Sequence, residues 1–209
     1  MNKVENVLKF YVLCNGLKNV VRTGWKVWNV QRDRIESIAE HVYGVQMLAI
    51  AMYKEFEYDI DIQKVIYMLA VHELEETIIG DLTVYDISRE EKKKIGKEAV
   101  DKILSELNNS VDINELIDEF DARETKEARF AYYCDKLECD IQAKLYDEEN
   151  CVDLDNQANN YVLSNERVYH LMKNEKSWGN AWIESDRVLY QDEHFIEVLD
   201  YLKANKISD

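Results

Sequence analysis

Two histidines in this 209-residue chain stand directly beside carboxylates: Glu40 precedes His41, and Glu73 follows His72. The chain has only four histidines, so two such pairs are worth comparing. A single histidine is more often a satisfied core or surface group than a ligand, and neither pair alone indicates a site. Imidazole nitrogens and carboxylate oxygens are nevertheless donors that divalent metals use in hydrolytic sites. The two pairs are therefore candidates for one metal centre.

Asp135 is a third candidate, because it places a carboxylate within an otherwise apolar helical stripe. Burying an unpaired carboxylate costs several kcal/mol or forces it to take up a proton, so this position calls for a cation or strong hydrogen-bond donors. With His41, His72 and Glu73 it makes a mixed nitrogen and oxygen set, suited to one divalent ion with open water positions. We expect Mn, Co, Fe, Zn or Mg, with a transition metal favoured.

Helical hydrophobic spacing covers most of the chain and predicts the elements that carry these residues. Sequences typical of capping boxes begin at Ser37 and Ser88, and Asp61 can cap a helix that continues past His72 and stops at Gly80. The expected helices are approximately residues 3–22, 38–56, 62–79, 89–107, 113–120, 125–147, 156–172 and 193–204. No segment has a convincing strand pattern. The prediction is an all-α fold of many helices packed around a single core.

Composition agrees with a helical fold and restricts the partners. The chain has no proline and six glycines, and none of these forms a glycine-rich phosphate-binding loop. A net charge of −16 argues against nucleic acid polymers and anionic membranes, which bind through basic patches, and we expect Lys92 to Lys94 to be merely solvated. The apolar runs are too short to cross a bilayer and no signal peptide is evident, so we expect a cytoplasmic protein with reduced cysteines.

Several motifs occur in a fixed order along the chain. They are Arg22-Thr-Gly-Trp25 with Asn29-Val-Gln31, Glu36-Ser-Ile-Ala-Glu40-His41, Val71-His72-Glu73-Leu-Glu-Glu76 with Gly80-Asp81, and a Glu-Ala-Arg-Phe run that leads to Asp135. Together they resemble the HD-domain phosphohydrolases, and within them the 5′-deoxynucleotidase branch. The resemblance covers approximately residues 5–150. We therefore expect an HD-type metallophosphohydrolase domain at 1–150, with a C-terminal helical extension at 151–209 packed on the same domain.

The resemblance implies that His41, His72, Glu73 and Asp135 bind the metal. It also implies that a metal-activated water attacks the phosphorus of a nucleoside 5′-monophosphate and releases inorganic phosphate. The paired aspartate of the family is a glutamate here, at residue 73. The extra methylene keeps the charge but moves the carboxylate by about one carbon–carbon bond, which alters the metal's surroundings.

The resemblance assigns four further residues. Glu76, one expected helical turn after His72, matches the catalytic glutamate, and Asp81 matches an acidic position that orients water or the sugar. Arg22 can fork onto phosphate oxygens and Trp25 can stack on the nucleoside. The alternatives are a solvated Glu76, a helix C-cap at Arg22 and a core anchor at Trp25.

Three functions stay open at this point. The preferred one is a 5′-deoxynucleotidase acting on a small-molecule nucleotide. The others are a different HD chemistry, on a cyclic nucleotide, a nucleoside triphosphate or an alarmone, and a non-catalytic module that binds metal or nucleotide. The apolar N-terminal helix and the family resemblance also lead us to expect a homo-oligomer, as a dimer.

Overall fold

The computed structural model describes residues 2–83, 85–175 and 177–208. Its α-helices are α1 (Lys3–Asn15), α2 (Thr23–Val27), α3 (Ile38–Glu55), α4 (Ile62–Val71), α5 (Glu76–Ile79), α6 (Arg89–Leu104), α7 (Val111–Ala122), α8 (Lys126–Glu148), α9 (Glu166–Asn174), α10 (Trp178–Asp186) and α11 (Glu193–Ala204). Within these described ranges there is no strand, and one isolated antiparallel bridge joins Val21 to Ser37. The all-α prediction is confirmed.

The chain forms two compact units. The first comprises Met1–Thr23 and Glu36–Tyr132, and the second comprises Gly24–Ile35 and Tyr133–Asp209. The division expected near residue 150 stays a prediction.

The first unit is built on α3 and α4, which pack against each other, and α7 packs on α4. The capping box at Ser37 is present: its hydroxyl oxygen accepts from Glu40 N, and the Glu40 carboxylate accepts from Ser37 N at 2.9 Å. Asp61 caps α4 by accepting from the amides of Gln63 and Lys64. A buried cluster joins α4, α6 and α7. Its members are Val71, Leu74, Val100, Ile103, Leu104 and Ile113.

Two predicted helices of this unit are shorter than expected. The first ends at Asn15, and a short 3-10 helix, Gly16–Asn19, follows it. The chain is then extended, because Arg22 N donates to Glu36 O and Ile38 N donates to Val20 O. The predicted helix over 62–79 is also interrupted: α4 ends at Val71 and α5 starts at Glu76.

The second unit has an aromatic core. Trp25, Trp28, Tyr146 and Trp178 lie in one buried cluster, and each is at most 3% exposed. This packing explains why the Trp178 segment, expected as a connection, forms helix α10, with Ser177 as its cap.

The helix predicted at 156–172 is wrong over its first half. Side chains there bond to backbone groups and compete with helix formation. The Gln157 amide donates to Trp28 O, and the Asn160 carbonyl accepts from Val162 N. Helix α9 begins only at Glu166, whereas α11 matches its prediction at 193–204.

Candidate metal centre

Helices α3 and α4 bring His41 and His72 together inside the first unit. His41 lies in the first turn of α3, where its N–H donates to Ser37 O, and His72 is the C-cap of α4. Both are buried, and their ring centroids are 5.7 Å apart. Phe120 of α7 lies edge-on to the His72 ring at 5.1 Å and restricts its rotation. The two imidazoles are thus held in place by packing.

The hydrogen bond of His72 determines which ring nitrogen can bind a cation. Nδ1 lies 2.8 Å from Leu69 O, and a carbonyl oxygen only accepts, so Nδ1 carries the proton. In the neutral imidazole Nε2 then keeps its lone pair, and it lies 3.7 Å from Glu73 Oε1. A bond from one ring N–H to a backbone carbonyl is the usual arrangement of metal-binding histidines.

Residues 72–75 form tight turns instead of a continuation of α4. Glu76 N donates to Glu73 O and Leu74 N donates to Val71 O, both at 3.2 Å and both three residues apart. At three residues per turn, side chains at i and i+3 lie on the same side. Glu73 and Glu76 are therefore neighbours. The expected relation of Glu76 to His72 across one α-helical turn is wrong.

Three predicted ligands come together in the first unit. His41, His72 and Glu73 each offer one ligand atom, and these atoms lie within 4.8 Å of one another. The donors are two imidazole nitrogens and a carboxylate oxygen, which suit a divalent first-row ion. The set therefore fits the expected metal.

Asp135, the fourth predicted ligand, lies on α8 in the second unit. It is 4% exposed, and its Oδ2 lies 2.8 Å from Lys136 Nζ. The Lys136 ammonium is therefore a cation that stabilises the buried Asp135 carboxylate. Its place among the metal ligands stays a prediction.

Carboxylates crowd the first-unit site. Burial, with the charges of Glu73 and Asp81, raises the pKa of Glu76 to about 10. Burial and Glu73 also raise the pKa of Glu75 to about 7. Such crowding favours a bound cation, because a divalent ion offsets the repulsion and lets these groups ionise.

Asp81 anchors the segment that carries Arg22. Its Oδ2 accepts from Thr23 N and its backbone carbonyl accepts from Thr23 Oγ1, both at 2.6 Å. Gly80 precedes it with φ at +74° and ψ at 173°, a conformation that side-chain-bearing residues rarely adopt. The glycine ends α5 and turns Asp81 towards Thr23.

Arg22 and Trp25 have different surroundings. Arg22 lies beyond the end of α1, so the alternative of a helix cap does not describe it, and its Nη1 is 3.9 Å from Glu73 Oε1. Trp25 is 1% exposed, with its ring centroid 5.4 Å from that of Tyr146 and 5.1 Å from that of Trp182. These are the contacts of a core anchor. Stacking of Trp25 on a nucleoside stays a prediction.

Lys92 is a neighbour of Glu76 that the motifs do not predict. Its Nζ lies 3.2 Å from Glu76 Oε1, so the expectation of a solvated lysine run is wrong at this residue. The helical spacing contained a signal for this position. Gly96, Ala99 and Ile103 are buried on one side of α6, and Lys92 lies one turn before Gly96 on that same side.

The HD domain family model matches residues 14–175. The chain belongs to the HD domain family. It is 34% identical over 154 residues to 5′-deoxynucleotidase HDDC2 of Dictyostelium discoideum, covering 70% of this chain and 80% of the relative. It is 32% identical over 147 residues to 5′-deoxynucleotidase HDDC2 of Homo sapiens, covering 69% and 70%.

Solved structures share the fold of this HD-domain protein. A protein of Pyrococcus horikoshii OT3 aligns with a TM-score of 0.67 at 24% identity, covering 94% of this chain and 98% of its own. A predicted metal-dependent phosphohydrolase of Magnetospirillum magnetotacticum MS-1 aligns with a TM-score of 0.58 at 24% identity, covering 68% and 71%. In the described part of this HD-domain protein, no helix is both long and apolar enough to span a membrane.

Replacing Asp81 by asparagine is expected to slow nucleotide hydrolysis by about tenfold, the effect of weakening one charge-assisted hydrogen bond. The reason is that Asp81 holds the segment that carries Arg22 and Thr23. A rise in KM is therefore expected together with the loss of rate. Asp86→Asn is the matched control, because Asp86 Oδ2 accepts from Thr83 N at 2.7 Å in an exposed turn. Steady-state kinetics measure both variants. A loss as large as that of a Glu76 variant would instead assign Asp81 to proton transfer.

Proposed function

We propose that this HD-domain protein is a metal-dependent 5′-deoxynucleotidase, which hydrolyses deoxynucleoside 5′-monophosphates to deoxynucleoside and phosphate. The observation that carries the proposal is the placement of a buried glutamate, Glu76, beside Glu73 in a site that also contains two buried imidazoles. The curated relatives with 5′-deoxynucleotidase names support the substrate class.

The proposed ligands of one divalent ion are His41, His72, Glu73 and Asp135. When bound, such an ion lowers the pKa of a water and offsets phosphate charge. Imidazole donors favour a transition metal over Mg. The longer carboxylate of Glu73 supplies the same charge as the family aspartate, and we propose that it serves as a ligand.

The chain's own residues have separate tasks in this proposal. Arg22 donates to phosphate oxygens, because its planar guanidinium offers two parallel N–H donors and lies at the Glu73 edge of the site. Glu76 takes a proton from the attacking water or gives one to the leaving oxygen. Asp81 orients the Arg22 segment, and Trp25 supports α2 from the core.

The atoms of the reaction balance. Water oxygen forms a bond to phosphorus, and the bond between phosphorus and the 5′-oxygen breaks with its electron pair on that oxygen. The attacking water gives up one proton, and the leaving 5′-oxygen gains one proton, which completes the deoxynucleoside hydroxyl. Phosphate keeps the water oxygen.

Phosphate release from a nucleotide panel tests the proposal. The panel contains deoxynucleoside and ribonucleoside 5′-monophosphates, a cyclic nucleotide, a triphosphate and an alarmone, each with Mn, Co, Zn or Mg. We expect the deoxynucleoside monophosphates to react fastest. Preferred release from any other class would assign a different HD chemistry, and nucleotide binding without release would assign a non-catalytic module.

The proposed partner is a small nucleotide, and the proposed location is the cytoplasm. The charge of −16 disfavours nucleic acid polymers and anionic membrane surfaces as partners. A mononucleotide differs from these polymers because a single divalent ion with Arg22 can offset its charge.

We also propose that the protein forms a homodimer through the outward face of α1. The inner face of this helix packs Phe10 and Cys14 on the core of the first unit. Its outer face exposes five apolar side chains, each by 57–66%: Val4, Val7, Leu8, Tyr11 and Val12. Positions 4, 8 and 11 follow the spacing of a helix–helix seam. A second copy is the proposed occupant, because two chains of charge −16 associate best through an uncharged stripe.

Leu8→Glu combined with Tyr11→Glu is expected to convert the dimer to a monomer, since it places charges in the seam. Light scattering measures the mass in solution. Val188→Glu is the control, because Val188 is 66% exposed but lies outside α1. A parent protein that is monomeric, or a dimer that survives the double substitution, contradicts the α1 interface.

A further inference from the structure

Lys92 differs from the other lysines of its run. Lys93 and Lys94 are exposed, whereas the Lys92 side chain is 32% exposed and makes two specific contacts. Its Nζ lies 3.2 Å from Glu76 Oε1 and donates to Leu82 O at 2.7 Å. One ammonium group therefore bonds to both α5 and the loop that follows Gly80.

Local packing directs Lys92 towards this site. Ser88 accepts from Glu91 N and begins α6, so Lys92 lies in the first turns of that helix. One turn later, Gly96 lets α6 approach Glu75: a Cβ there would be 3.4 Å from Glu75 Cγ. The close approach brings the base of the Lys92 side chain near α5.

Lys92 is a cation among the carboxylates of the first-unit site. Burial lowers its pKa, but the carboxylates of Glu76, Glu73 and Asp81 outweigh burial, and the pKa of Lys92 rises above its usual value. The ammonium is therefore protonated throughout the neutral range, and it lowers the pKa of Glu76 against the effect of burial.

The two carboxylate oxygens of Glu76 are not equivalent. Oε1 is paired with Lys92, whereas Oε2 is buried and has no hydrogen-bond partner among the described residues. A buried acceptor without a partner costs free energy unless a ligand or substrate group supplies one. Lys92 thus holds Glu76 by one oxygen and leaves the other for the reacting atoms.

We propose that Lys92 is a positioning residue for Glu76: its ammonium group orients the carboxylate through Oε1, so that Oε2 performs the proton transfer. This inference rests on the proposed function. Lys92 acts through Glu76 and does not contact the nucleotide. It also fixes the Leu82 carbonyl, and with it the loop that carries Asp81.

Kinetics of Lys92→Met, Lys92→Arg and Lys94→Met test the inference on the metal-loaded enzyme. We expect Lys92→Met to lower kcat by roughly 10- to 100-fold, the range for losing a charge-assisted hydrogen bond, with KM for a deoxynucleoside monophosphate unchanged. Lys92→Arg should recover most of kcat, because it keeps the charge. Lys94→Met, on the exposed side of the same helix, should match the parent.

A double substitution separates positioning from independent action. Lys92→Met should cause no further loss of kcat in a Glu76→Gln background, measured by single turnover at high enzyme concentration. A raised KM with unchanged kcat would make Lys92 a phosphate-binding residue, and an additive loss in the double variant would show that it acts without Glu76. Either result overturns the inference.

Failure of the proposed function gives a different pattern. A parent protein that releases no phosphate contradicts the nucleotidase proposal and leaves the Lys92–Glu76 pair to a second measurement. Melting temperatures of the metal-free parent, the Lys92→Met and Glu76→Gln variants and the double variant should be non-additive, because the two side chains share one buried contact. Additive shifts refute the coupling.

Discussion

Replacing Glu76 by glutamine is expected to lower turnover by about 10²- to 10⁴-fold, while the metal and the nucleotide remain bound. Glutamine keeps the size of the side chain and can still accept from Lys92, but its amide cannot take or give a proton in the neutral range. Glu76 is 2% exposed, and its Oε2 is a buried acceptor without a hydrogen-bond partner among the described residues. The loss should therefore fall on kcat.

The matched control is Glu90→Gln, which makes the same chemical change at an exposed position of α6. Calorimetric binding of a deoxynucleoside monophosphate and phosphate release, measured on one preparation, separate binding from turnover. A Glu76→Gln enzyme with near-parental turnover contradicts the proton-transfer role. A variant without metal shows that Glu76 is itself a ligand.

The purified protein should contain about one divalent ion per chain, and His41→Ala combined with Asp135→Ala should remove it together with the activity. Elemental analysis measures the content. The physical reason is that the hydrogen bond of His72 leaves Nε2 beside Glu73 as one nitrogen donor. In the proposed ligand set, His41 and Asp135 add a second nitrogen and a second carboxylate oxygen. His170→Ala, on the exposed face of α9, is the control. Undiminished metal in the double variant contradicts the assignment.

Substitutions at residue 73 test whether its carboxylate binds the metal. Glu73→Gln should weaken metal binding strongly because it removes the charge, whereas Glu73→Asp should preserve binding or change the preferred metal. Removing the ion should also lower the melting temperature by roughly 5–10 °C, since ligands on α3 and at the end of α4 lose their common partner. Equal metal affinity in Glu73→Gln would place the carboxylate ligand elsewhere, with Glu76 the first alternative.

Local signals in the sequence determined where several helices begin and which residue types could bind a metal. Ser37 with Glu40, Asp61 and Ser88 cap their helices as predicted, although Ser88 forms only half of its expected box. Such caps are readable because the donor and the acceptor lie within four residues. The motif order likewise indicated His41, His72 and Glu73, whose ligand atoms lie within 4.8 Å of one another in the structure.

Tertiary structure decided how those residues are used. Apolar spacing predicted a continuous helix through His72, but the chain turns at 72–75 and places Glu73 beside Glu76. Lys92 belongs to a run of three similar lysines. Its helical spacing indicates the inner face of α6, but only the packing of α6 near α5 gives it Glu76 as a partner. Trp25 lies in a motif associated with substrate binding, yet its contacts are with Tyr146 and other aromatic residues distant in sequence. Such contacts depend on which helix faces meet, and the pattern of any single segment contains no information about its partner.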